Sequence, residues 1–280
     1  MRAFLAIVLV AGAAIAVYLL MGGGDAEDRN GGDAPGPGPA AEAPLDAEAL
    51  KRLNPLLSVT ATRPLLEHVN RVKDSDLPGL IALAKKEPSL KHKRPLVWTL
   101  GIKGGEPGAE ALKDVVEHDY GAAELSIADE DVIFESLQAL GLAAARDKKA
   151  YEFALKGTDP EFWRGRRTWT SGRGDHATHM LVSYSVQALG LSGRPESKEH
   201  VEALKNKDAH YLHAWAGDVT QAVFYRWVRA VKGEQALHDY LLRRDDHRTF
   251  WFDWQRTAEG QQWYRWASEM TSGPVPPKPD

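Results

Sequence analysis

The chain contains no cysteine, which removes disulfide bonds, thiolate nucleophiles, cysteine-ligated zinc and iron–sulfur centres. It also removes lipoprotein-type lipid modification, which needs a cysteine directly after an apolar leader. An excess of charge is lacking too. With 35 basic against 39 acidic side chains the formal net charge is −4, so no broad positive field favours nucleic acid. No Gly-x-Ser-x-Gly elbow and no glycine-rich phosphate loop occurs, which leaves nucleophilic catalysis and nucleotide binding without a foothold. The clustered carboxylates Asp129, Glu130 and Asp131 read as the charged first turn of a helix. Nothing in these absences or patterns asks for a cofactor.

What is present is a phrase said twice. Gln138-Ala139-Leu140-Gly141-Leu142 runs on to Ala154-Leu155-Lys156, and Gln187-Ala188-Leu189-Gly190-Leu191 runs on, at the same spacing, to Ala203-Leu204-Lys205. A fainter version upstream pairs Thr99-Leu100-Gly101-Ile102 with Ala111-Leu112-Lys113. Ile133, Leu137, Leu140 and Ala144 fall on one helical face, and Val182, Val186, Leu189 and Gly193 hold the same places. Each Leu-Gly glycine therefore stands where two helices approach closely or where the first one ends. Gly101, Gly141 and Gly190 are spaced 40 and 49 residues apart, near the roughly 40–47 of helix-pair repeats. No alternating run is long enough to demand a sheet. Val219 to Lys232 and Glu234 to Arg243 make a degenerate fourth pair. The aromatic-rich stretch from Thr249 to Met270 has the composition of a cap that seals the open end of such an array.

Phe4 to Met21 carries no charge; as a helix of about 27 Å it just crosses a hydrocarbon core of roughly 30 Å. The competing reading is a cleaved signal peptide, for which the Gly22-Gly23-Gly24 run offers a poor site. Either way Arg2 before the segment and Asp25, Glu27 and Asp28 after it send the remainder across the membrane. The expected order is an anchor over 1–21, a disordered Gly/Ala/Pro/Asp tether over 22–44 and an all-α domain over 45–272. A loose tail over 273–280 follows.

The phrases Val132-Ile133 to Leu140-Gly141 and Val182 to Leu189-Gly190, each followed by a polar break and a second helix ending Ala-Leu-Lys, resemble HEAT repeats. They are most similar to the short HEAT-like repeat of phycobilisome lyases, in which Ala-Leu-Gly closes the first helix. The resemblance spans roughly residues 77–243, with Phe134 and Ser183 where such repeats often carry arginine. It implies an α-solenoid of stacked antiparallel helix pairs with a protein-binding concave face, and it does not imply lyase activity. Deoxyhypusine hydroxylase, a HEAT-like enzyme, binds iron through His-Glu pairs. Here Glu67-His68, Glu117-His118 and Glu199-His200 run in reverse order and no His-Glu dipeptide occurs, which excludes that enzyme.

Two groups of side chains remain as candidates. The insertion between the second and third phrases carries Trp163, Arg164, Arg166, Arg167, Trp169 and Arg173. Forked guanidinium hydrogen bonds could hold an anion there, with indoles stacked on a sugar or resting at a lipid interface. The plain alternative is a connecting loop folded back on its neighbours. His176 with His179, and His210 with His213, have a spacing that puts two imidazoles on one helical face, with Asp175 and Asp218 nearby to complete a metal site. Surface or packing histidines are the plain alternative here as well. The expected function is that of a single-pass membrane protein, N-terminus cytoplasmic, displaying an extracytoplasmic scaffold that binds another envelope protein. The rival is a metal-dependent enzyme or an anionic glycan binder.

Overall fold

Short polar side chains write most of the helix starts. Asp46 accepts from the Ala49 amide at 2.7 Å, Ser126 from Asp129 at 3.2 Å, Asp208 from Tyr211 at 2.9 Å and Thr257 from Gly260 at 3.0 Å. Each satisfies an amide the helix cannot, worth about 1 kcal/mol. The computed structural model describes residues 44–59, 62–118, 120, 125–164, 176–243 and 248–276. They form fourteen α-helices with no strand among the described residues. The proposed anchor at residues 4–21, nearly all of the tether and the last four residues lie outside them. Among the described residues no helix is long and apolar enough to cross a membrane.

The first three helices are α1 (Ala47–Leu57), α2 (Leu66–Asn70) and α3 (Leu77–Lys86). Two boundaries differ from the sequence reading. α1 continues through Pro55, because Leu53 and Leu56 on that turn are fully buried. Asp76, expected to cap α3, instead turns back to accept from the Lys73 amide at 2.8 Å and from Arg52 at 2.6 Å.

The body of the molecule is built from α4 (Leu90–Lys103), α6 (Ile127–Ala143), α9 (His176–Ser192) and α11 (Ala209–Lys232). Each packs against the next. The shorter helices α5 (Gly105–Glu117), α7 (Lys148–Gly157) and α10 (Glu196–Ala203) each lie against the two long helices that flank them in sequence. The sequence places α8 (Pro160–Trp163) between α7 and α9. Almost every residue from Val132 to Ala144 on α6 and from Leu181 to Ser192 on α9 is buried, so both helices are enclosed on all sides.

The repeated glycine is explained by the contact between successive long helices. Gly101 of α4 lies on Ala139 of α6, Gly141 of α6 on Ala188 of α9, and Gly190 of α9 on Ala222 of α11. A Cβ on Gly101 would stand 2.5 Å from the Ala139 carbonyl oxygen, and one on Gly141 2.6 Å from the Ala188 Cα; at Gly190 it would overlap the Ala222 backbone. Of the two roles open to it, close approach is the one the glycine fills. The same register also marks Gln221-Ala222 as a fourth copy of the Gln-Ala phrase, in which Val223-Phe224 replaces Leu-Gly.

The far end carries α12 (Glu234–Leu242), α13 (Arg248–Gln255) and α14 (Ala258–Thr271). Phe224 is the centre of its aromatic cluster, with ring centroids 4.9 Å from Trp251, 5.4 Å from Tyr240 and 5.5 Å from Trp254. Trp254 and Trp263 are buried, while Phe252 and Tyr264 remain 51% and 52% exposed. The segment before α2 returns to this end, since α2 touches α12 and Arg63 donates to the Leu241 carbonyl at 2.5 Å.

Two glycines of the long helices test the packing account. Gly190→Ala forces a methyl into the Ala222 backbone and should lower stability by about 1–3 kcal/mol. A Cβ on Gly217, on exposed α11 surface, meets nothing within 4 Å, so Gly217→Ala should raise stability by up to about 1 kcal/mol. Thermal unfolding of the pair checks both signs, and equal effects at the two sites would refute the close-approach role.

Candidate functional site

Helices as thoroughly buried as α6 and α9 carry unexpected polar side chains, and those fall in one row. Glu135 of α6 is 1% exposed. Its Oε1 accepts from Arg63 Nε and Nη2 at 3.2 and 3.1 Å, and its Oε2 from Arg94 Nε at 3.0 Å and Trp98 Nε1 at 2.9 Å. The Arg63 guanidinium lies 4.5 Å from the Trp98 ring centroid, and Arg94 also pairs with Asp131 at 3.5 Å. One carboxylate thus ties the segment before α2 to α4 and α6, and through Arg63 to α12.

Beside Glu135 the repeat register aligns four equivalent positions: Trp98, Gln138, Gln187 and Gln221. Each directly precedes the residue that takes the place of the repeated alanine. Gln138 Nε2 donates to Gln187 Oε1 at 2.6 Å and Gln187 Nε2 donates to Asp218 Oδ1 at 2.7 Å. Ser183 Oγ donates to Asp218 Oδ2 at 2.8 Å. The carboxylate of Asp218 sets the direction of this chain, because it only accepts and so fixes both amides in turn. Gln138 Oε1 is left over, buried and without a hydrogen-bond partner among the described residues. Further along, Gln221 Nε2 donates to the Tyr225 hydroxyl at 2.7 Å.

These side chains border a cavity of about 270 Å³. Gln138, Gln187 and Tyr225 form its buried floor, Tyr184, Gln221 and Tyr240 its half-buried rim, and Arg63 with Leu241 one wall. Burial holds the Tyr225 hydroxyl protonated by pushing its pKa far up, and raises that of Tyr240 to about 12. Burial also raises Asp218, against the pull of its bonds from Gln187 and Ser183 and of His179. His179 is stacked on Trp215 with ring centroids 5.3 Å apart, and burial lowers its pKa. Ser183, Asp218 and His179 therefore share one corner, but Ser183 gives its proton to a carboxylate that is already fully engaged.

The insertion candidates divide. Trp163 ends α8 and belongs to the core: it is 2% exposed, donates from Nε1 to the Gly157 carbonyl at 2.7 Å and meets Phe153 and Phe162 edge to face. This corrects its reading as a ligand-facing residue, since apolar burial of the indole outweighs display. Arg164 pairs locally with Glu161 at 2.6 Å. Arg166, Arg167, Trp169 and Arg173 lie outside the described residues. Of the histidines, His176 and His179 stand in the first turn of α9, with Asp218 of α11 near His179. His210 Nδ1 is 3.1 Å from the Pro276 carbonyl and His213 Nε2 is 3.4 Å from that of Gly273, so this pair contacts the C-terminal segment. Among the described residues no three His, Asp or Glu side chains gather as a metal site; Asp175 lies outside them.

The sequence reading missed Glu135, Gln138, Gln187 and Gln221 as a group. A signal was present, since both clear copies of the phrase begin with glutamine at positions an enclosed helix would fill with apolar residues.

The buried charge cluster yields a first expectation. Glu135→Leu leaves Arg63 and Arg94 facing each other without their shared counter-ion, and should cost about 3–5 kcal/mol in chemical denaturation. A second concerns His238 on α12, buried beside Glu234 and facing Arg229, Arg146 and Lys103. Burial lowers its pKa to about 4. The folded protein thus keeps it neutral while the unfolded chain takes up a proton below its ordinary value of about 6.5. Its contribution is intact above pH 6.5 and is lost as pH falls toward 4, by roughly 3 kcal/mol in all. His238→Gln should flatten that part of the stability–pH curve relative to the parent, and identical slopes would refute it.

No family model, no curated protein and no solved structure matches this chain.

Proposed function

We propose that this chain is a binding module and not an enzyme. In this reading it is a HEAT-like α-solenoid held on the extracytoplasmic side of a membrane by residues 4–21 and their tether. It docks another component of the cell envelope on the row formed by α4, α6, α9 and α11. The partner seats one small polar group in the cavity between Arg63 and Gln221. The glycine-on-alanine register supports the repeat reading, because stacked like units need like contacts.

One observation carries the choice of face: a buried carbonyl, Gln138 Oε1, stands without a partner on the floor of a cavity. Leaving such an acceptor unmet costs about 1–3 kcal/mol, a cost that a bound donor recovers. Binding is favoured over catalysis by the neighbouring chemistry. Ser183 donates to Asp218, both oxygens of Asp218 are occupied, and Tyr225 stays protonated, so neither a nucleophile nor a base is poised at the cavity.

Affinity capture from native membranes with full-length bait tests the reading. Gln138→Leu should abolish capture of a stoichiometric partner while leaving stability unchanged or improved. Replacing residues 165–173 by a Gly-Ser linker should leave capture intact. Retention of the partner by the Gln138→Leu bait, or turnover of a substrate by the purified protein, would overturn it.

A further inference from the structure

The walls of the cavity specify what can enter it, and the first specification is charge. The Arg63 guanidinium is already committed to Glu135 and to the Leu241 carbonyl, and Arg94 to Glu135 and Asp131. Two cations and two carboxylates cancel. A charged ligand would give up its hydration and meet no unpaired counter-charge among these groups, which costs several kcal/mol. The ligand is therefore neutral.

Hydrogen bonding is the second specification. The directional chain from Asp218 through Gln187 to Gln138 ends on an acceptor, so the ligand must donate to Gln138 Oε1. The Tyr225 oxygen already accepts from Gln221, which leaves its own proton to give, so the ligand must also accept. Both demands fall on the floor of one cavity. A hydroxyl is the neutral group that donates and accepts through a single atom.

Size and shape complete the set. About 270 Å³ lies just under the 300–1,000 Å³ of pockets for drug-sized ligands. At about 30 Å³ per water molecule it equals roughly nine waters, which excludes a helix or a peptide strand and suits one ring. Tyrosines supply much of the remaining wall, and the ring of Tyr184 is itself stacked on Phe134 at 5.7 Å. Flat aromatic surface suits a ligand with an apolar face between its hydroxyls.

We propose that this cavity is a subsite for one neutral sugar residue, free or at the end of a glycan, recognised through hydroxyl groups that donate to Gln138 and accept from Tyr225. The inference deepens the binding-module reading and rests on its choice of face. It names the chemical class of the group that the partner presents.

Ligand-observed NMR and calorimetry on the full-length protein in nanodiscs provide the test, with glucose, galactose, mannose and N-acetylglucosamine as probes. Each is titrated to about 20 mM, well above a millimolar Kd, and glucuronate serves as the charged counterpart of glucose. At least one neutral sugar should bind, and Gln138→Leu should weaken it at least tenfold, about 1.4 kcal/mol, with Tm unchanged or raised. Gln221→Leu, on the half-buried rim, should weaken it as well and stands in should Gln138→Leu fold poorly. A bound monosaccharide identifies a free-sugar site. Tighter binding of a di- or trisaccharide with the same terminal residue identifies a glycan end. Binding of glucuronate as tight as that of glucose, or sugar binding indifferent to both glutamine variants, would overturn the proposal. So would the absence of any neutral sugar binding. If sugars fail but partner capture still depends on Gln138, the ligand class falls and the docking face stands. If sugars bind but capture ignores Gln138, the docking reading falls and the sugar subsite stands.

Discussion

The close approach of a glycine on one long helix to an alanine on the next is the constraint from which the rest of this molecule follows. Gly101 on Ala139, Gly141 on Ala188 and Gly190 on Ala222 bring backbones near enough that no side chain fits between them. Three equal contacts in succession fix the spacing and the relative height of α4, α6, α9 and α11. Because a glutamine directly precedes each of Ala139, Ala188 and Ala222, the same contacts bring Gln138, Gln187 and Gln221 to one level. The first two meet at 2.6 Å, a distance that a shift of a single residue in register would abolish.

Charge is placed within that frame so as to cancel locally. Glu135 takes four hydrogen bonds from Arg63, Arg94 and Trp98, which offsets part of the heavy cost of taking ions out of water. The arrangement adds little net stability compared with an apolar core. What it adds is connection: Arg63, far from Glu135 and Leu241 in sequence, fastens the start of the domain to its middle and its end. The cavity exists because of this crossing, with Arg63 as one wall and the glutamine row as the floor.

The same local cancellation shapes function. A catalytic corner needs a group whose proton or lone pair is available, and Asp218, Ser183, His179 and Tyr225 are bound, stacked or held protonated. The row instead ends on one acceptor that nothing in the described residues satisfies, the usual condition of a receptor awaiting its ligand.

How much of this was legible beforehand varies by element. The helical class could be read from 3.6-residue periodicity and the absence of strand patterns, and Asp46 and Ser126 were recognisable caps because capping is local chemistry. The need for glycine in each Leu-Gly was visible, though its cause, close approach rather than helix termination, was not. Trp163 was misread because composition cannot tell a displayed indole from one folded onto Phe153. Gln221 was hidden by the loss of Leu-Gly in its copy of the phrase, and Arg63 by its distance along the chain from Glu135. The sequence by itself determined the helices, their repetition and the absence of thiol chemistry, since these depend on residue type and spacing along a few turns. Only the tertiary structure decided the site. It is assembled from side chains on five separate segments, and hydrogen-bond partners that far apart are chosen by packing, not by sequence neighbours.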